Sequence, residues 1–324
     1  MELVADIGAT NARFQYADQG ELIGNAVVLG TADYAEGKVL LTTALARLND
    51  AHEMTEPVFE RAIVAVAGPT ERPGQIIVTN TGLLIDADVY GGVLDCQTHL
   101  ANDFFAMAHG VPYFKQLTQL GGDQPSNDVK ALLGPGTGLG MATLIPASIK
   151  AAGSNAPMWR VIPSEGGHAD LAPGSHLEAE LWAVLLENHG HVSWETVLSG
   201  TGLQNLYRAM LSIWGGVAAD LTPAEIVEQG KSMAAPVCHQ TLETFCGLLG
   251  AAAGNLALTV TARGGVYIGG GIVPRIIDFV VTSPLRRRFE ERGEMTDMIA
   301  KIPLMLITDT DPGLAGALRC LHSL

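Results

Sequence analysis

Two segments far apart in this chain share one layout: an apolar strand, a turn built on Gly and Thr, then a second strand. The first is Asp6-Ile7-Gly8-Ala9-Thr10-Asn11-Ala12-Arg13, directly after the strand-like Leu3-Val4-Ala5. The second is Gly134-Pro135-Gly136-Thr137-Gly138-Leu139-Gly140, between the apolar segments Asp128–Leu133 and Gly140–Ile145. This weak duplication predicts two α/β halves, each opening on its own hairpin. Facing each other across a cleft, the halves would bring both turns to one bound nucleotide.

The residue types in the turns favour phosphate. Backbone approaches an anion closely only where Cβ is missing, which Gly8 supplies. The Thr10 hydroxyl and the Asn11 amide add donors. Asp6 has the same sign of charge as a phosphate, so its sensible role is on Mg²⁺, through water. The second loop is not a Walker A loop, because no Gly-Lys-Ser/Thr follows it. Nor is it a dinucleotide fingerprint, since its glycines fall at every second position. Alternating glycines suit amides aimed at the β- and γ-phosphates of ATP, with Gly136 and Gly138 opening the backbone and Thr137 adding a hydroxyl. An ordinary flexible hairpin is the alternative.

Composition narrows the class. The 324 residues suffice for two domains. With 34 acidic and 19 basic residues the net charge is −15, which argues against nucleic acid as a partner. A nucleotide is still allowed, because one Mg²⁺ and local N–H donors offset its charge. The cysteines Cys96, Cys238, Cys246 and Cys320 are scattered, without a C-x-x-C pair, and read as thiols in a reducing cytoplasm. No signal peptide is expected ahead of the first motif. The apolar stretch from Phe245 to Val260 is shorter than the roughly 20 residues a membrane span needs, so it reads as a buried core helix.

Periodicity predicts strands over Glu2–Ile7, Arg13–Ala17, Asn25–Leu29, Arg61–Ala67, Gln75–Asn80 and Thr98–Asn102, with a single helix over Tyr34–Leu48. The region from His176 to Phe289 reads as mainly helical, interrupted by a buried strand at Gly265–Ile268. Lys301–Thr308 reads as a last strand and Asp311–Leu324 as a last helix.

Taken in order, the motifs resemble the bacterial glucokinases: the ATP-dependent group of the actin/hexokinase-like superfamily that lacks the zinc motif of ROK kinases. The resemblance rests on Asp6–Arg13, Asn102-Asp103-Phe104, Gly134–Gly140 and Glu165-Gly166-Gly167-His168. It continues through Gly190-His191-Val192-Ser193, Glu195, Leu198-Ser199-Gly200, Gly264–Pro274 and Asp311-Pro312-Gly313-Leu314. It implies a two-domain, ribonuclease H-like α/β fold with an interdomain active-site cleft. The expected domains are a small one, 1–112 plus 309–324, and a large one, 113–308. Hinges are expected near Phe104–Tyr113 and Thr308–Asp311. The implied activity is phosphorylation of D-glucose at its 6-hydroxyl by MgATP, in a cytoplasmic homodimer that engages neither nucleic acid nor membrane.

The resemblance also implies roles. Asp103 is the base that accepts the hydroxyl proton; from its position alone, the helix N-cap is the safer reading. Asn102, Asp103, Glu165, His168 and Glu195 form the sugar-binding set, whose carboxylates and amides suit a ring of hydroxyls. His168 has no cysteine partners for zinc nearby and is otherwise a core histidine; Glu195 is otherwise a solvated helix residue. Gly269, Gly270 and Gly271 hold the adenosine, with Gly264 and Gly265 nearby; the same glycines also read as a tight strand-to-helix turn, and the two readings are compatible. His189 and His191 read as structural. Two departures stand out: Ala9 where relatives often have Gly, and Leu83 where a Trp is common beside the sugar. The rival readings are a kinase for another hexose, a sugar-sensing regulator without catalysis, and a chaperone-type ATPase of the same superfamily.

Overall fold

The computed structural model describes residues 1–69, 72–150, 157–216 and 219–324. These divide into two compact units, Met1–Lys115 with Asp309–Leu324, and Gln116–Thr308. Val217 and Ala218, inside the stretch read as mainly helical, lie outside the described residues.

The first unit is built on β1 (Glu2–Ile7), β2 (Asn11–Asp18), β3 (Glu21–Gly30), α1 (Gly37–His52), β4 (Arg61–Val66), β5 (Gln75–Ile77), β6 (Leu84–Asp86), α2 (Ala87–Leu94), β7 (Gln97–Asn102) and α3 (Asp103–Gly110). Its main sheet runs β3-β2-β1-β4-β7. The first three strands are antiparallel, while β4 joins β1, and β7 joins β4, in parallel. Strands buried on both faces read as continuous apolar runs, and β1 is one. Leu3, Ala5 and Ile7 pack with Leu40, Leu41 and Leu48 of α1 and Tyr90 of α2. Val4 points the other way.

The second unit repeats the plan with β8 (Leu117–Gln119), β9 (Lys130–Pro135), β10 (Leu139–Lys150), β11 (Pro157–Ser164), α4 (His176–His189), α5 (Gly200–Trp214), α6 (Pro223–Gly230), α7 (Pro236–Val260), β12 (Gly265–Ile268), α8 (Ile277–Thr282), α9 (Leu285–Glu290), α10 (Thr296–Lys301) and β13 (Leu304–Ile307). The sheet order is β11-β10-β9-β12-β13-β8. Three antiparallel strands again precede two parallel additions, and β8 closes the edge antiparallel. The chain then returns to the first unit with α11 (Pro312–Leu321). Its Leu314, Ala317, Leu318 and Leu321 cover Val4, Ile63 and Ala65. Glycines let α11 come close to α3: a Cβ on Gly316 would overlap the Met107 backbone.

Several expected boundaries shift. A second helix, α2, follows Asp86, whose side chain caps it by accepting from the Asp88 and Val89 amides. The expected strand Gln75–Asn80 ends at Ile77 and pairs with β6. The expected last strand from Lys301 begins at Leu304, because Lys301 closes α10. Helix α7 has 25 residues and is long and apolar enough to cross a membrane by composition; 72% of its most apolar window is buried inside the protein.

Candidate active site

In the first unit the β1–β2 turn is pinned from below. The Gly8 amide donates to the Asn11 carbonyl at 2.9 Å, and the buried Thr31 donates its hydroxyl to the Gly8 carbonyl at 2.7 Å and its amide to the Thr10 carbonyl at 3.0 Å. Thr10 is exposed and Asn11 half-buried. Gly8 has no intramolecular need to be glycine: a Cβ there would only touch the Asn11 carbonyl at 3.4 Å. Thr31 escaped the sequence reading, since nothing local links it to a turn more than twenty residues away.

Strand alternation puts Asp6 on the same face as Val4, toward α11. Its carboxylate lies against Gly313, where a Cβ would overlap it. Burial first, then the negative charges of Asp103 and Asp311, push the Asp6 carboxyl up to about 7, with Arg13 opposing. Arg13 also faces Asp311 at 3.3 Å. The Asp-Pro-Gly opening of α11 was visible as a motif, but its place beside Asp6 was not.

Asp103 is the first residue of α3, and the N-cap is Asn102. The Asn102 Oδ1 accepts from the Phe104 and Phe105 amides, each at 3.0 Å, while its Nδ2 donates to the Gly68 carbonyl at 3.2 Å. So the capping role considered for Asp103 falls to its neighbour. One Asp103 oxygen accepts the Phe104 amide at 2.8 Å. Burial raises the Asp103 carboxyl above its ordinary range, against the pull of the Phe104 and Asp103 amides.

In the second unit the glycine hairpin joins β9 to β10. The Gly136 amide donates to the Gly138 carbonyl at 2.8 Å, and the Gly200 amide at the start of α5 donates to the Gly136 carbonyl at 2.9 Å. Glu165 is exposed and precedes the short turn Gly166–His168. Glu195 is in no helix; its backbone amide donates to the Gly167 carbonyl at 2.8 Å. One oxygen accepts the Leu139 amide at 2.8 Å, and the other lies 3.8 Å from His168 Nδ1. Thus His168, Glu195 and the hairpin come together within this unit, Glu165 stands at the turn just before His168 with its carbonyl accepting the His168 amide at 3.0 Å, and the solvated-helix alternative for Glu195 fails. His191 pairs with Asp170 at 2.7 Å, and an isolated bridge joins Asp170 to Ser193.

Gly269–Gly271 follow the end of β12, beside the end of β9: the Gly269 amide donates to the Leu133 carbonyl at 2.9 Å. Gly270 has φ +86° and packs on Pro135 and Gly134 backbone, so it needs to be glycine for the turn itself. Gly271 and Gly136 do not: a Cβ on Gly271 meets nothing, and one on Gly136 reaches only the Gly271 amide at 3.9 Å. Gly264 and Gly265 sit at the opposite end of β12, roughly 15 Å away at about 3.3 Å per residue, so they are not part of this turn.

A family model described as Glucokinase matches residues 3–324. The chain belongs to the glucokinase family. The glucokinase of Chromobacterium violaceum is 40% identical over 319 residues, covering 97% of this chain and 87% of the relative. A glucokinase from Neisseria meningitidis is 38% identical over 325 residues, covering 99% and 94%. A crystal structure of glucokinase from an Antarctic psychrotroph superposes with a TM-score of 0.81 at 35% identity, covering 100% of this chain and 99% of that one. The fold is accordingly the two-domain actin/hexokinase-like α/β fold. In this glucokinase family member Leu83 is buried in the core of the first unit with Ile85 and Ile76, so it is a packing residue.

Proposed function

We propose that this chain transfers the γ-phosphoryl group of ATP to the 6-hydroxyl of D-glucose. The observation that carries the reading is the convergence of Glu195, His168 and the glycine hairpin in the second unit. A hydroxyl-binding set beside an amide-rich turn is what a kinase for a polyol needs.

Each unit has its own part. In the first, Asp103 accepts the proton of the attacking hydroxyl, and its raised carboxyl strengthens it as a base. Asn102 fixes the start of α3 with its Oδ1, so the Asp103 backbone is held; its Nδ2 keeps one hydrogen for a sugar oxygen. Gly8, Thr10 and Asn11 offer donors and open backbone to phosphate. In the second, Gly136, Thr137 and Gly138 do the same, Gly269–Gly271 lie along the adenosine, and Glu165, His168 and Glu195 take sugar hydroxyls. The room above Gly8, Gly136 and Gly271 suits backbone–ligand approach.

Mg²⁺ fits this donor set as a partner of the triphosphate. Among the described residues no group of three or more His, Cys, Asp or Glu gathers as a metal cluster. A hydrated Mg²⁺ needs only one carboxylate besides the phosphates, and Asp6, buried and in the field of the Asp103 and Asp311 charges, gains from a cation nearby. Bound Mg²⁺ supplies charge neutralisation on the phosphates. We read the working form as a cytoplasmic homodimer; the four free thiols suit a reducing compartment.

The deciding experiment is ADP formation with MgATP against glucose, fructose, mannose and glucosamine. Turnover on glucose well above the others supports the reading. Preference for another hexose changes the substrate. Absence of turnover on every sugar, with glucose still bound, replaces it with a sensor.

A further inference from the structure

The sequence pattern around Gly138 points to room for a phosphate, but its missing Cβ is taken up by the protein. A Cβ there would overlap the Glu195 carboxylate, and one on Gly167 would overlap the Leu139 carbonyl. Leu139 is therefore gripped at both backbone groups: its amide by Glu195 Oε2 at 2.8 Å, its carbonyl by close approach of Gly167. The Glu195 amide in turn binds the Gly167 carbonyl at 2.8 Å. Three chain segments, Gly138-Leu139, Gly167 and Glu195, thus close into one ring of contacts. The far side of the hairpin is fixed separately by the Gly200 amide at 2.9 Å from the Gly136 carbonyl.

The only link in this ring with side-chain freedom is the Glu195 carboxylate, which is about one-third exposed and 3.8 Å from His168. A sugar hydroxyl that claims this carboxylate competes with the Leu139 amide for the same oxygens. We infer that Glu195 is a positioning residue for the glycine hairpin, and that sugar binding resets the nucleotide-binding turn by drawing this carboxylate off the Leu139 amide. The inference rests on the kinase reading above, and it adds a coupling between the two substrates to that reading. Coupling of this kind is reciprocal: the factor by which sugar changes nucleotide affinity equals the factor by which nucleotide changes sugar affinity.

Two measurements test it. The first is hydrogen exchange without sugar. In Glu195→Ala the Leu139 amide should exchange roughly tenfold faster or more, the effect of losing a bond to a charged acceptor, while the Leu132 and Leu133 amides of β9 stay protected. Unchanged exchange at Leu139 overturns the inference. The second is the affinity for Mg²⁺ with a non-hydrolysable ATP analogue, with and without saturating glucose, by calorimetry. Wild type should show a glucose effect of about fivefold or more. In Glu195→Ala and in Gly138→Ala, where the new methyl displaces the carboxylate, the effect should fall to near one. A glucose effect of equal size in Gly138→Ala also overturns it, as does a wild type that binds both ligands independently. Wild type that binds no glucose at all sinks the kinase reading itself, which is a different result. Should Glu195→Ala lose glucose entirely, the exchange result and Gly138→Ala still decide.

Discussion

The carboxylate of Asp6 lies directly against the Cα of Gly313, in the space a Cβ would fill. Strand β1 delivers Asp6 to that face and the opening turn of α11 leaves room for it. The acidic residue and the glycine are therefore one device, assembled from the two ends of the chain.

Gly313→Ala should accordingly act on both stability and nucleotide use. The methyl forces Asp6 or α11 to move, at a cost of about 1–3 kcal/mol typical of overpacking. The KM for MgATP should rise more than that for glucose. Gly92→Ala, in α2 with nothing within 4 Å of the new methyl, is the control. It should be neutral or raise Tm slightly through helix propensity.

Asp6 predicts a pH dependence of defined sign. Its carboxyl is at about 7 in the folded chain against an ordinary 3.8. Between those values the folded state holds a proton that the unfolded state has released, so stability falls as pH rises through the window. Asp6→Asn removes that contribution. Without Mg²⁺ and nucleotide, the Tm of the variant relative to wild type should climb from pH 4 to pH 7 and then level off. A constant difference across that range would contradict the assignment.

Asp103→Asn should lower kcat by roughly 10²–10⁴, the usual worth of a general base, with glucose affinity little changed. The amide keeps the shape at the first turn of α3 and Asn102 still caps it. Equal losses in kcat and in glucose binding would instead mark Asp103 as a binding group.

The sequence made the strands legible where composition and turn chemistry agreed. β1, β4 and β12 are short apolar runs bounded by Gly or charge, and each is found close to where periodicity put it. Helix α2 was hidden by Gly91 and Gly92, which break helical propensity. Edge strand β11 was hidden by the prolines at its two ends, which read as loop. For the site, single motifs were legible because glycine and acid patterns are local. The bond between Glu195 and Leu139 was not, because the two are 56 residues apart and only the fold joins them. Gly138 illustrates the limit: its sequence context pointed to phosphate, and its immediate neighbour is a carboxylate.

Farther from the chemistry, Arg288 and Glu178 make the most buried ion pair among the described residues, with 12% and 9% side-chain exposure. Arg288 Nη2 donates to both Glu178 oxygens at 2.9 Å, and Glu178 also accepts the Gly174 amide at 2.6 Å. The pair ties the start of α4 to α9. Removing one partner leaves a buried charge, so Arg288→Met should destabilise the second unit by about 3–5 kcal/mol. The double variant Arg288→Met with Glu178→Leu should recover most of that loss, because neither charge then needs a partner. All 4 tryptophans, Trp159, Trp182, Trp194 and Trp214, lie in the second unit, so their fluorescence during urea unfolding reads this unit alone. A double variant as unstable as the single one would mean that packing around α9, and not the isolated charge, sets the cost.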